Sequence, residues 1–158
     1  MKYLKPFNES IEEKILKEKL QTKELQEFCD MNLAYLTDEG FKTTIESDKY
    51  LKSLYFTKGY NENILDYSWR AGETFEWDEI KNSFIPFLTL LDREYRSSYK
   101  LGESRFRLLT ITYIEFNDEG ERVGLGTDMI SLDDIIDVND GNVGIDSIVC
   151  IKVTLRKK

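Results

Sequence analysis

Histidine is absent from all 158 residues of the chain. That removes the side chain that most often works as a general base near neutral pH, and with it Ser-His and Cys-His nucleophile pairs and imidazole metal ligands. Cysteine is nearly as scarce. Cys29 and Cys150 are the two thiols, one at a helical position and one in a strand-like run, without the paired spacing of a disulfide framework or a zinc site. Two prolines and nine glycines are too few for a linker or a low-complexity tract. Long hydrophobic runs are missing as well: the longest uncharged apolar stretch is residues 83–91, far below the roughly 18 residues needed to span a bilayer. Lys2 and Lys5 are followed by Glu9, Glu12 and Glu13, where a secretory leader needs an apolar run. Export by that route is not expected, and a reducing cytoplasm is the expected location.

What the chain does contain is a packable core and an uneven charge. Apolar residues make up 41% and aromatics 13%, enough for one complete core at this length. The expected organisation is an N-terminal segment and helix over residues 1–21, followed by a single α+β domain over residues 22–158. The formal charge is −8, and residues 115–146 hold ten carboxylates against the single base Arg122. That segment therefore carries −9 and the remainder about +1. Net acidity weighs against direct nucleic-acid binding and against anionic membranes, and it favours a protein partner with a basic surface.

Periodicity orders the elements. Ser10-Ile-Glu-Glu13 has capping-box spacing, and Ile11, Ile15, Leu16 and Leu20 give the helix behind it a narrow apolar stripe. Thr22 is a second candidate cap, opening a core-facing helix over 22–39 on Leu25, Phe28, Cys29, Leu33 and Leu36, stopped by Gly40. Phe41 to Glu46 and Tyr50 to Thr57 alternate as two strands around Ser47-Asp48-Lys49, and a third short strand is expected at Ile64 to Trp69. Trp77, Ile80, Phe84, Phe87, Leu88 and Leu91 mark the clearest amphipathic helix. Pro86 lies inside it, predicting a kink or two shorter pieces. Arg105 to Phe116 reads as a long strand with apolar residues on both faces, hence central. Asn117 to Gly120 turns it into a partner at Arg122 to Leu125. A short helix from Ser131 to Val138 and a final strand at Val149 to Leu155 complete the order. The fold class expected is α+β, two-layered, with helices on one face of a mainly antiparallel sheet. The likeness of residues 33–42 to 88–96 allows a duplicated αββ unit.

No catalytic or cofactor-binding residue and no metal ligand is assigned from these patterns. Asp137 to Asp146 is rich in Asp, Asn and Gly, but against a calcium loop Gly141 falls one residue early and Ile148 stands where the closing acid belongs. A turn entering the last strand is the reading that remains. Asp133, Asp134 and Asp137 share a helix face, which suits the positive end of the helix dipole as well as it suits a cation. Arg93, Arg96, Lys100, Arg105 and Arg107 form a basic cluster that either pairs internally with the acidic segment or holds a phosphate. The surface expected to meet a partner comprises Asp118, Glu119, Glu121, Asp133, Asp134, Asp137 and Asp140, with Tyr67 and Trp69 as aromatic anchors.

Residues 1–10, Met-Lys-Tyr-Leu-Lys-Pro-Phe-Asn-Glu-Ser, resemble the N-terminal leader of internal head proteins of large tailed bacteriophages. Those leaders begin Met-Lys, place Phe near position seven and precede a cleavage site of an aliphatic residue, any residue and Glu, which Ile11-Glu12-Glu13 matches. Pro6 departs from the pattern. The resemblance implies packaging in a phage head and delivery into the host cell, so the locations it implies are the virion and the host cytoplasm. On these grounds the protein is expected to be a non-enzymatic phage accessory or head-associated protein acting by binding. The alternatives are an acidic inhibitor that imitates nucleic acid and a carboxylate-and-metal enzyme.

Overall fold

The computed structural model describes residues 10–59, 73–104, 107–137 and 144–158. In chain order these form α1 (Ile11–Asn32), α2 (Ala34–Asp38), β1 (Phe41–Ser47), β2 (Leu51–Lys58), α3 (Trp77–Tyr95), β3 (Tyr99–Leu101), β4 (Leu108–Phe116), β5 (Arg122–Ser131), α4 (Leu132–Asp137) and β6 (Ile148–Lys157). The expected strand at Ile64 to Trp69 and the leader at residues 1–9 lie outside the described residues.

The strands make one sheet in the order β1-β2-β6-β4-β5, with every pairing antiparallel. β3 also pairs with β6, at Leu101 opposite Leu155. Because β4 joins the same edge of β6 further along, at Ile111 opposite Ile151, β3 and β4 are one row interrupted by an excursion over residues 102–107. The amides and carbonyls of Glu103 and Leu108 bond to each other at 2.9 Å across its neck, and the Gly102 amide reaches the Thr154 carbonyl at 2.7 Å. Ser104 and Arg107 are held there at positive φ. The long strand expected from Arg105 therefore begins at Leu108, and its partner β5 continues six residues beyond Leu125 to Ser131.

One face of the sheet is covered by helices, giving an α+β fold of two layers. Pairing places Phe56, Ile151 and Ile111 side by side, with Leu54 beside Val153 in the next row. All five are buried. They meet Leu25, Cys29 and Leu33 of α1 and Ile80, Phe84, Phe87, Leu88 and Leu91 of α3 in one continuous core. Phe56 packs against Phe84 with ring centroids 4.8 Å apart, and Phe28 joins the two long helices by its contact with Phe87.

Three local outcomes differ from the periodicity. Thr22 caps nothing, since α1 runs unbroken from the Ser10 cap, whose hydroxyl accepts from the Glu13 amide at 3.1 Å. The break falls instead at Leu33, and the short α2 then ends at Gly40, φ +95°, the left-handed stop expected there. α3 runs from Trp77 to Tyr95 through Pro86 as a single helix; the proline sits on its exposed side. Glu76 and Glu79 close a capping box at its start that the sequence reading did not pick out. Finally, each half of the chain offers a helix followed by a hairpin. The first hairpin meets β6 through its second strand, however, and the second hairpin through its first.

Among the described residues no helix is long and apolar enough to cross a membrane.

Candidate functional site: a lysine-lined cleft

The surface expected to meet a partner divides. Asp118, Glu119 and Glu121 lie exposed on the β4–β5 turn, where Asn117 Oδ1 accepts from the amides of Glu119 (3.0 Å) and Glu121 (2.8 Å). Asp133 and Asp134 are on α4, beyond the other end of the ten-residue β5, about 30 Å away at a strand's rise per residue. A run that is continuous in sequence is thus split between two ends of the sheet. Asp133 is further engaged: its Oδ1 is 2.9 Å from the Arg107 guanidinium, which also lies 2.7 Å from Asp92. Internal pairing therefore accounts for Arg107, while Arg96 pairs with Asp92 at 3.6 Å. Asp137 closes α4; Asp140, Tyr67, Trp69 and Arg105 lie outside the described residues. Among the described residues no group of three His, Cys, Asp or Glu side chains is gathered where it could hold a metal ion.

Opposite in sign is a cleft of about 570 Å³ at the end of the sheet where β2 begins and β6 finishes. Its floor comes from the helix-covered face. Lys52 is opposite Leu155 in the sheet, and Tyr99 is opposite Lys157. Lys52 shares that face with Leu54 and Phe56 because side chains alternate along a strand. Its side chain passes under α1, where Nζ donates to Thr22 Oγ1 at 2.8 Å and Ser47 Oγ at 2.9 Å, leaving the residue 4% exposed. Thr22, read as a helix cap, is a hydrogen-bond acceptor for this lysine instead.

The walls are assembled from three further segments. From α1 come Lys14, Lys17, Gln21 and Glu24, spaced three and four apart and so on one helix face. The β1–β2 turn supplies Lys49, and it is fixed by Asp48, whose Oδ1 accepts from the Tyr50 and Leu51 amides at 2.8 Å. The end of α3 supplies Glu94 and Tyr95. β6 is tied at the rim on both sides, the Lys157 amide bonding to the Tyr50 carbonyl (2.8 Å) and the Lys158 amide to the Ser98 carbonyl (3.1 Å).

Electrostatically the cleft is mixed, with an excess of positive charge. Five lysines face two carboxylates. The phenol of Tyr95 is pushed above its ordinary value first by burial and then by Cys29, Glu24 and Glu94. Its hydroxyl is accordingly protonated at neutral pH. Lys14 and Glu24 are ten residues apart on α1, about 15 Å along the axis. Lys52, bonded to Thr22, and Lys157, opposite Tyr99 in the sheet, lie nearer the acidic residues, so positive charge is spread along the cleft.

Neither thiol suits nucleophilic work. Burial, with a smaller contribution from Asp30, pushes Cys29 up to about 12, and burial does the same to Cys150 against the opposing pull of Lys152 and the Phe56 backbone. Among the described residues, one carboxyl is raised above its usual value, that of Glu76. Burial is the main cause, opposed by the Ser147 amide it accepts from at 3.3 Å and reinforced by Asp146 and Glu79. It belongs to the α3 cap, on another part of the molecule.

The sequence reading missed the cleft because its lysines come from four separated segments, of which only the end of β6, Arg156 to Lys158, is a basic run. One signal was available: Lys52 has the parity of Leu54 and Phe56 in an otherwise apolar-faced strand. No family model, curated protein or solved structure matches the chain.

Proposed function

We propose that the protein acts by binding and not by catalysis, and that its ligand is an anion held in the lysine-lined cleft. The observation that carries this reading is the convergence of Lys14, Lys17, Lys49, Lys52 and Lys157 on one concavity of a chain whose total charge is −8. On so acidic a molecule, a local excess of three positive charges within a cleft focuses the field and attracts anions that the rest of the surface repels. The volume lies in the range of small-molecule sites, about 300–1,000 Å³. The acids near residues 118 and 133 support a basic protein partner less well, being far apart and, at Asp133, already paired. With no histidine, and with both thiols held protonated, the described residues offer no strong nucleophile or neutral-pH base.

The phage-head reading belongs to the same proposal and rests on the leader. Its cleavage site, Ile11-Glu12-Glu13, forms the exposed first turn of α1. Cutting after Glu13 would remove the Ser10 cap, worth about 1 kcal/mol, and leave a new ammonium group on Lys14 at the rim of the cleft. Mass spectrometry of virions is expected to find a chain beginning at Lys14; an uncut chain, or none, defeats this part.

For the cleft itself, calorimetric titration with inorganic triphosphate and with polyglutamate in low salt tests the reading. Binding of at least one, weakened about tenfold or more at high salt and lost in a Lys14→Ala/Lys17→Ala/Lys157→Ala variant, is the expected result. Binding of neither sinks it, as does binding that the triple variant retains.

A further inference from the structure

We propose that the anion held in the cleft is the acidic tip of the β4–β5 hairpin of a second copy of this chain, so that copies join tip to cleft. This deepens the anion-binding reading and depends on it. The first support is shape. β4 pairs with β6 only as far as Tyr113 opposite Ile148, whereas its pairing with β5 goes on to Phe116 opposite Arg122. The hairpin therefore outruns the rest of the sheet, and residues 115–123 are exposed without a break. Its tip is tied by its own bonds. The Asn117 amide donates to the Glu121 carbonyl at 2.9 Å and the Gly120 amide to the Asn117 carbonyl at 3.0 Å, beside the two amides that Asn117 Oδ1 accepts. A projection ordered in advance loses little freedom on docking.

The second support is charge. Taken apart from Asp133, the projection over residues 115–123 carries Glu115, Asp118, Glu119 and Glu121 against Arg122, four acids and one base, which sum to −3. The cleft sets five lysines against Glu24 and Glu94, which sum to +3. Each surface is a mixture with an excess of one sign, and the two excesses cancel. Apolar surface lies at both as well: Phe116 and Val123 behind the tip are 48% and 60% exposed, and Tyr50, next to Lys49 on the β1–β2 turn, is 65% exposed. The contact thus does not rest on charge alone.

The third support is position. β6 runs from Ile148, beside the hairpin, to Lys157, at the cleft, a distance of about 30 Å. The tip projects from one end of the sheet and cannot enter the cleft at the other, so the cleft it can fill belongs to another copy. Because the two surfaces differ, the contact either closes into a ring or propagates as a chain of copies.

Sedimentation velocity on the full chain at low salt and rising concentration tests this. Self-association is expected, weakened about tenfold or more at high salt. An Asp118→Asn/Glu119→Gln/Glu121→Gln variant, lacking the charge of the tip, and the Lys14→Ala/Lys17→Ala/Lys157→Ala variant, lacking that of the cleft, are each expected to associate at least about tenfold more weakly on their own, with the circular dichroism unchanged. Mixed, the first supplies a whole cleft and the second a whole tip, so together they are expected to form a one-to-one dimer and nothing larger. A parent chain that stays monomeric, a tip variant that associates as the parent does, or a mixture that yields no dimer shows that the hairpin is not the occupant. Calorimetry of the tip variant with triphosphate and with polyglutamate separates the two readings. Binding of either leaves anion binding standing when the hairpin fails; binding of neither brings both down.

Discussion

Replacing Gly102 by alanine tests the excursion that separates β3 from β4 and so sets Tyr99 in the cleft. A Cβ at this position would meet Arg107 C at 2.5 Å, Arg107 Cα at 2.6 Å and Arg107 O at 2.9 Å, and the backbone has φ +89°. Two costs therefore add. A left-handed conformation costs a non-glycine residue about 1–2 kcal/mol, and forcing backbone away from an overpacked contact costs about 1–3 kcal/mol. The sum, about 2–5 kcal/mol, corresponds to a melting point lower by about 4–20 °C for a chain of this size. Two controls divide the sum. Gly40, φ +95°, has open space around it, so Gly40→Ala should show only the conformational part, about 1–2 kcal/mol. Gly124 has open space and no positive φ, and its alanine variant should stay within about 0.5 kcal/mol of the parent. Urea unfolding of the three variants, followed by circular dichroism, gives the comparison. If Gly102→Ala costs no more than Gly40→Ala, the close approach to Arg107 is wrong.

Three further outcomes are expected. With both thiols pushed up to about 12, only about one in ten thousand is ionised at pH 8, so a disulfide reagent should label both far more slowly in the folded protein than in guanidinium; Cys29 is buried and Cys150 half-buried, and reaction of either at its unfolded rate contradicts that shielding. Glu76 has a raised folded-state value, so the native state binds its proton more tightly, and the stability this contributes is present below about 4.3 and lost as pH rises through the folded value. Glu76→Gln, which keeps an oxygen for the Ser147 amide, should melt above the parent at pH 7 with an advantage that shrinks on acidification; a constant or growing advantage contradicts the assignment. Leu88 is fully buried in α3, and Leu88→Ala should cost about 2–5 kcal/mol in urea, with less than 1 kcal/mol refuting its place in the core.

The fold was legible where one physical signal dominated. Trp77, Ile80, Phe84, Phe87, Leu88 and Leu91 announce α3 because a helix face must be apolar to be buried, and all six are. Asp48 and Asn117 announce their turns because short polar side chains bond to backbone amides two to four residues ahead. Thr22 misled because a hydroxyl that suits a helix cap serves as well to accept from Lys52 across the fold. β3 escaped notice because three residues are too few to show a period. The pairing of Arg107 with Asp133 was foreshadowed by opposite charges, but its geometry depends on an excursion with left-handed residues that no local pattern announces. The cleft lay furthest from view: Lys14 and Lys157 become neighbours of one cavity only after the sheet is assembled.

β6 occupies the middle of that sheet and is made after the other five strands. A chain emerging from the ribosome can form the β1–β2 hairpin and the β4–β5 hairpin from local pairings, yet the two have no shared edge until residues 148–157 are available. During synthesis the inner edges of β2 and β4 stand unpaired, open to the wrong partner. Completion of the sheet is expected to be late and cooperative, and a nascent chain halted before residue 148 should need a holding chaperone to stay dispersed.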